Sequence, residues 1–181
     1  MHKPMKKLLL GAAMLLFAQV GFGQSVSDNA VIPVSVTLNS ILRLTVTSGG
    51  NIQFVVNTID QYTNGIANND QYTSSFTVSS SRDFNVTMGA EDADFIGIET
   101  GATMPLVNLQ YTMGGTGGGA IAGLQPLLDI TAPETIVTLA AGGGLLYEIL
   151  WELGTVAPSL LTQSLDADIY VTNVFLNLAP Q

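Results

Sequence analysis

The chain has 181 residues with no cysteine, one histidine, and fourteen acidic against five basic residues, for a formal net charge of −9. It can form no disulfide and no thiolate metal site. So acidic a chain is also a poor partner for nucleic acid or anionic membrane surfaces, which demand many cationic contacts.

Met1 to Gly23 reads as a secretory signal peptide. His2, Lys3, Lys6 and Lys7 form a basic start, Leu8 to Val20 an apolar run, and Gly21 and Gly23 the small residues before a cut at Gln24. The apolar run is shorter than the roughly 20 residues a membrane-spanning helix needs. Cleavage would remove every lysine and the one histidine, leaving Arg43 and Arg82 as the only basic side chains. The expected organisation is a signal at 1–23 and one domain at 24–181.

From Ala30 to Val56 apolar residues recur at every second position: Ile32, Val34, Val36 and Leu38, then Leu42, Leu44 and Val46, then Ile52, Phe54 and Val56. Side chains of a strand alternate between two faces, so this period predicts half-buried β-strands, broken softly at Asn39-Ser40 and sharply at Ser48-Gly49-Gly50-Asn51. Asn57 to Gln71 is polar and reads as a long loop. Phe76 and Val78, then Phe84, Val86 and Met88, alternate around Ser79 to Asp83, which predicts a β-hairpin.

Gly89 to Asp94 reads as an acidic turn and Phe95 to Ile98 as a short strand. Pro105 to Met113 would set Val107, Leu109, Tyr111 and Met113 on one face, ahead of a glycine-rich loop over Gly114 to Gly123. Thr135 to Leu139 reads as a further strand. Leu145 to Leu153 fits either a helix or a strand; its aromatics and flanking glycines favour a strand with Tyr147, Ile149, Trp151 and Leu153 inside. Asp168 to Leu178 closes the pattern as a last strand. Eight or nine short strands with turn residues between them predict an all-β fold, an antiparallel β-sandwich of Ig-like or pilin-like, Greek-key type. Its core is expected to include Val36, Leu44, Phe54, Phe76, Phe84, Val86 and Trp151.

Little chemistry is encoded. A Ser or Thr nucleophile needs a His or Lys base, and the processed chain has neither. Glu148 and Glu152 would lie about 13 Å apart on a strand, beyond the ~5–9.5 Å of paired glycosidase carboxylates. Glu91, Asp92 and Asp94, and Asp166 and Asp168, offer oxygens to a hard cation but lack the spacing of a defined calcium loop. Gly114 to Gly119 carries no lysine suited to a phosphate loop. Tyr62, Tyr72, Tyr111, Tyr147 and Trp151 could form a sugar-stacking platform, although most read as core aromatics. The expectation is no enzyme, no cofactor and no metal.

The signal, the early strand AVIPVSVTL, the FTVSSSRDFNVTM segment and the closing DIYVTNVFLNL resemble the secreted fimbrial, pilin-like β-sandwich subunits of Gram-negative bacteria. The cysteine pair usual in chaperone–usher pilins is missing. The resemblance implies a non-enzymatic structural subunit that passes through the periplasm to the cell surface or an extracellular filament. Its partners would be copies of itself or other surface subunits; the alternative is a secreted glycan-binding module or adhesin. Without lysine or cysteine any durable junction must be non-covalent. The segment with Ala30, Ile32, Val34 and Val36 on one face, and Pro33 suited to an edge, is then the candidate assembly strand. The same segment could equally be the first strand of the chain's own sheet.

Overall fold

The computed structural model of the chain describes residues 32–181. Met1 to Gly23 and Ala30 lie outside them. The chain divides into two units, residues 1–37 and 38–181.

The second unit is antiparallel and all-β, with eleven strands in three sheets among the described residues. The largest sheet has the order β1 (Leu42–Ser48), β2 (Thr73–Ser80), β9 (Gly142–Leu153), β6 (Leu109–Gly115) and β7 (Gln125–Pro126). A second has the order β11 (Val174–Pro180), β3 (Phe84–Ala90) and β8 (Glu134–Leu139). These two sheets enclose one apolar core, the arrangement of a β-sandwich. Its centre is built from Phe76 and Val78 of β2, Phe84, Val86 and Met88 of β3, Tyr111 of β6, Ile136 and Val137 of β8, and Tyr147, Ile149 and Trp151 of β9. A small third sheet, β10 (Tyr170–Val171), β4 (Asp94–Gly97) and β5 (Thr103–Pro105), adds Phe95 and Met104 to the core.

The period-two pattern names the inward side chains correctly in β2, β3 and β9, where Tyr147, Ile149, Trp151 and Leu153 are all buried. Pairing is where the structure departs from it. Phe76–Val78 and Phe84–Met88 do not form a hairpin: β2 pairs with β1 and β9, while β3 pairs with β8 and β11. The Ser81–Asp83 turn therefore carries the chain from one sheet to the other. It is pinned by Ser80, whose hydroxyl donates to the Arg82 carbonyl (2.5 Å) and accepts from the Arg82 amide (3.1 Å). Both strands turn their apolar faces inward in either arrangement, so alternation alone does not distinguish a hairpin from a crossover.

Other expectations need correction. Ile32–Leu38 forms no strand, and Val36, expected in the core, is exposed. Ile52 to Val56 keeps alternating burial but joins no sheet; Phe54 packs instead on Tyr72, with ring centroids 4.2 Å apart. The expected loop at 57–71 contains a short helix, α1 (Ile59–Asn64), started by a capping box in which Thr58 and Gln61 exchange backbone bonds. Val107 sits in a 3-10 turn (Leu106–Asn108) and is half-exposed, and Met113 is only partly buried, so of the four residues expected on one face Leu109 and Tyr111 are fully inside. The closing segment is two strands in different sheets, divided at Thr172-Asn173.

Candidate assembly interface

Of the carboxylates weighed as possible sites and set aside, Glu152, Glu91 and Asp168 are engaged in holding the fold. Strand β9 keeps Glu148 and Glu152 four residues apart on an extended backbone. The Glu152 carboxylate accepts from Asn68 Nδ2 (2.6 Å) and Thr155 Oγ1 (2.9 Å), which ties the 66–72 connection to the end of β9. Glu91 accepts from the Asn173 side chain. Asp168 fastens the turn after β4, accepting from the Thr100 hydroxyl (2.6 Å) and from the amides of Thr100 (2.9 Å), Glu99 (3.1 Å) and Ile169 (2.6 Å). Led by the Thr100 hydroxyl bond, these interactions hold its carboxyl down at about 2. Among the described residues no group of three or more acidic or histidine side chains is placed to hold a metal ion.

The five aromatics do not form an exposed row. Tyr72, Tyr111, Tyr147 and Trp151 are buried, and Tyr62 is half-buried against the core. The glycine-rich loop lies against the core rather than opening as a cradle, since a Cβ on Gly117 would come within 2.4 Å of the Tyr147 ring. A buried amide, Asn108, and its half-buried partner, Gln163, carry no signal in the sequence. Asn108 and Gln163 bond each other reciprocally, Nδ2 to Oε1 at 2.8 Å and Nε2 to Oδ1 at 2.7 Å, and so lock the 3-10 turn before β6 to that at Leu160–Gln163.

What stands out are exposed apolar side chains in an alternating segment. Ile32, Val34, Val36 and Leu38 are 82, 82, 77 and 90% exposed. The candidate assembly residues of the described segment thus keep their apolar face in water. A second feature sits at the edges of the sandwich. β1 ends the large sheet and β11 ends the second, and the two approach each other in space. Their inward-facing residues should be core, since Leu44 lies opposite Val78, Val46 opposite Phe76, and Leu176 opposite Met88. Yet Leu42 and Val46 are 40 and 49% exposed, and Leu44, Val174, Leu176 and Leu178 are only partly buried. The core is therefore open between these two edges. Among the described residues β1 and β11 each pair on one side only. The opposite margin differs: β7 is a two-residue edge, and β8 is bridged by Ala120 and bonded by the backbone of Ile121.

An extended chain with alternating apolar residues would satisfy such an edge twice, through its backbone groups and through its side chains. No protein-family model matches the chain, and no curated protein matches it in sequence.

Proposed function

We propose that the protein is a non-enzymatic structural subunit of a secreted or cell-surface assembly, joined to its neighbours non-covalently by strand addition. The observation that carries this reading is the coexistence, in one chain, of an exposed alternating segment at 32–38 and an open sandwich margin at β1 and β11. Fully burying a Val or Ile side chain contributes about 1.5–3 kcal/mol, so three or four such residues on one strand supply a substantial driving force for association. The apolar face and the unpaired edge are each poorly suited to remaining in water, and each fits the other. A signal at Met1–Gly23 with passage through the periplasm, and pilin-like assembly into filaments, belong to the same proposal.

The test is to express the chain from Gln24 and a version lacking Gln24 to Val36, and to compare them by negative-stain microscopy and thermal melting. Filaments from the first, and a folded monomer that forms none from the second, support the proposal. Full-length material that stays monomeric at all concentrations rejects it.

A further inference from the structure

Resting on strand addition as the mode of assembly, we infer that the acceptor is the outer edge of β1 in a second copy. The donated residues 32–38 run antiparallel to it, with Leu38 opposite Leu42, Val36 opposite Leu44 and Val34 opposite Val46.

The backbone of β1 sets this register. The Ser81 amide donates to the Ile41 carbonyl at 2.9 Å, and pairing continues as Leu42 opposite Ser80, Arg43 opposite Ser79 and Leu44 opposite Val78. Antiparallel residues alternate between bonded and unbonded pairs, so residues 41, 43 and 45 turn their N–H and C=O toward β2. Leu42, Leu44 and Val46 turn theirs to the open side, while their side chains point into the half-exposed margin of the core. Directly opposed residues share a face. The stated register therefore stacks apolar on apolar at each inward pair and leaves Thr37 opposite Arg43 and Ser35 opposite Thr45 in water. Slipping by one residue would reverse every side chain. Pro33 falls beyond the last regular pair, where β1 bulges between Val46 and Ser48, and with its nitrogen directed away from β1. No ladder bond is lost there. The β11 edge is the poorer acceptor, because Pro180 occupies one of its outward-bonding positions and offers no N–H.

The same register cannot readily be met within one chain. Ile41 already extends the β1 pairing, with its amide on the Ser81 hydroxyl (2.8 Å) as well as its carbonyl on the Ser81 amide. Only Asn39 and Ser40 remain for a reversal, and a two-residue loop would set Thr37 opposite Leu42 and Val36 opposite Arg43, the wrong faces. Keeping the apolar register makes Ile41 the third residue of the loop, a position that favours left-handed backbone and disfavours a β-branched side chain. A second copy meets the register without that reversal.

The chain's lack of cysteine makes the test direct. Ser35→Cys with Thr45→Cys places two thiols at an unbonded, solvent-facing pair whose Cα atoms would lie about 4.5 Å apart, within disulfide range. Oxidation of the assembled double variant should give a ladder of covalent multimers on a non-reducing gel. Ser35→Cys with Arg43→Cys, the pair a parallel strand would align, should give at least tenfold less. Filaments that cross-link only through the second pair, or through neither, overturn the register and leave strand addition standing. Cross-linking confined to a single chain shows a self-capped hairpin and overturns the inference. Products that stop at dimers, without filaments, keep the register and reject a filament-forming subunit. Absence of any assembly rejects both.

Discussion

The indole Nε1 of Trp151, in β9, donates to the Ser74 hydroxyl of β2 at 2.9 Å, and that hydroxyl donates onward to the Gly49 carbonyl at 2.6 Å. One small side chain thus satisfies the only polar atom of the largest core residue and holds the turn that follows β1. Gly49 suits this approach twice over: its φ is +63°, and a Cβ there would come within 2.1 Å of the Thr73 carbonyl oxygen. Ser74→Ala should leave the indole N–H without a partner and cost about 1–3 kcal/mol in chemical denaturation. Ser74→Thr, which keeps the hydroxyl, should recover part of the loss.

Tyr111 presents the opposite case. Its hydroxyl is buried with no hydrogen-bond partner among the described residues, and the same holds for Tyr147. Removing a buried polar atom that bonds nothing relieves its desolvation, so Tyr111→Phe should leave stability unchanged or raise it by up to about 1 kcal/mol. The pH dependence follows. Burial, with Glu134 as a lesser contributor, pushes the Tyr111 phenol well above its usual value, and burial raises that of Tyr147. A raised phenol pKa means that the native state holds its proton longer than the unfolded chain. The stability this represents is complete below about pH 10, the unfolded value, and declines as pH rises beyond it. Tyr111→Phe should make denaturation midpoints fall less steeply between pH 10 and 12.

Much of this core was legible because burial in a sandwich follows the pleat. Phe76, Phe84, Val86 and Trp151 are inside as alternation requires, and Leu44 and Phe54 pack at its margin. Alternation says which way a side chain points but not which strand lies beside it, so Phe84 was placed on the correct face of a wrongly paired strand. Val36 shows the complementary failure. Its pattern is that of a strand, but a strand needs an edge to join, and residues 32–38 join none in the described chain. The open margin between β1 and β11 could not be read from sequence, because Leu42 and Leu176 look like ordinary core residues until their missing neighbours are seen in space.

Asp168 should make the small sheet sensitive to acid. Its carboxyl, held at about 2 chiefly by the Thr100 hydroxyl, is ionised in the native state at pH values where an unfolded aspartate would bind a proton. The stabilisation is present above about pH 4 and is lost as pH falls toward 2. Asp168→Asn should flatten this part of the acid titration, and hydrogen exchange at Glu99 and Thr100 should speed up, since their amides lose a charged acceptor.

Calcium should not alter the melting temperature. Asp168 spends its oxygens on Thr100, Glu99 and Ile169, and Glu91 accepts from Asn173, leaving these carboxylates committed to protein donors. Scans in millimolar calcium and in excess chelator should coincide within about 1 °C. A calcium-dependent rise of several degrees would show binding to the native state.

The sharpest contrast is between two apolar residues that sequence alone ranks as equals. Phe84 is fully buried at the start of β3, and Phe84→Ala should cost about 3–5 kcal/mol through lost burial and the cavity left behind. Val36 lies in water in the isolated chain, so Val36→Asp removes no contact of the subunit's core and should leave its melting within about 0.5 kcal/mol of the original. In the proposed junction the same position faces Leu44, and an aspartate there would carry a charge into an apolar margin, at a cost that blocks association. Melting and light scattering on the two variants therefore read in opposite directions: Phe84→Ala weakens the subunit, while Val36→Asp spares the subunit and abolishes assembly. If Val36→Asp instead unfolds a protein that is monomeric throughout, residues 32–38 belong to the chain's own sheet and strand donation from this segment is wrong.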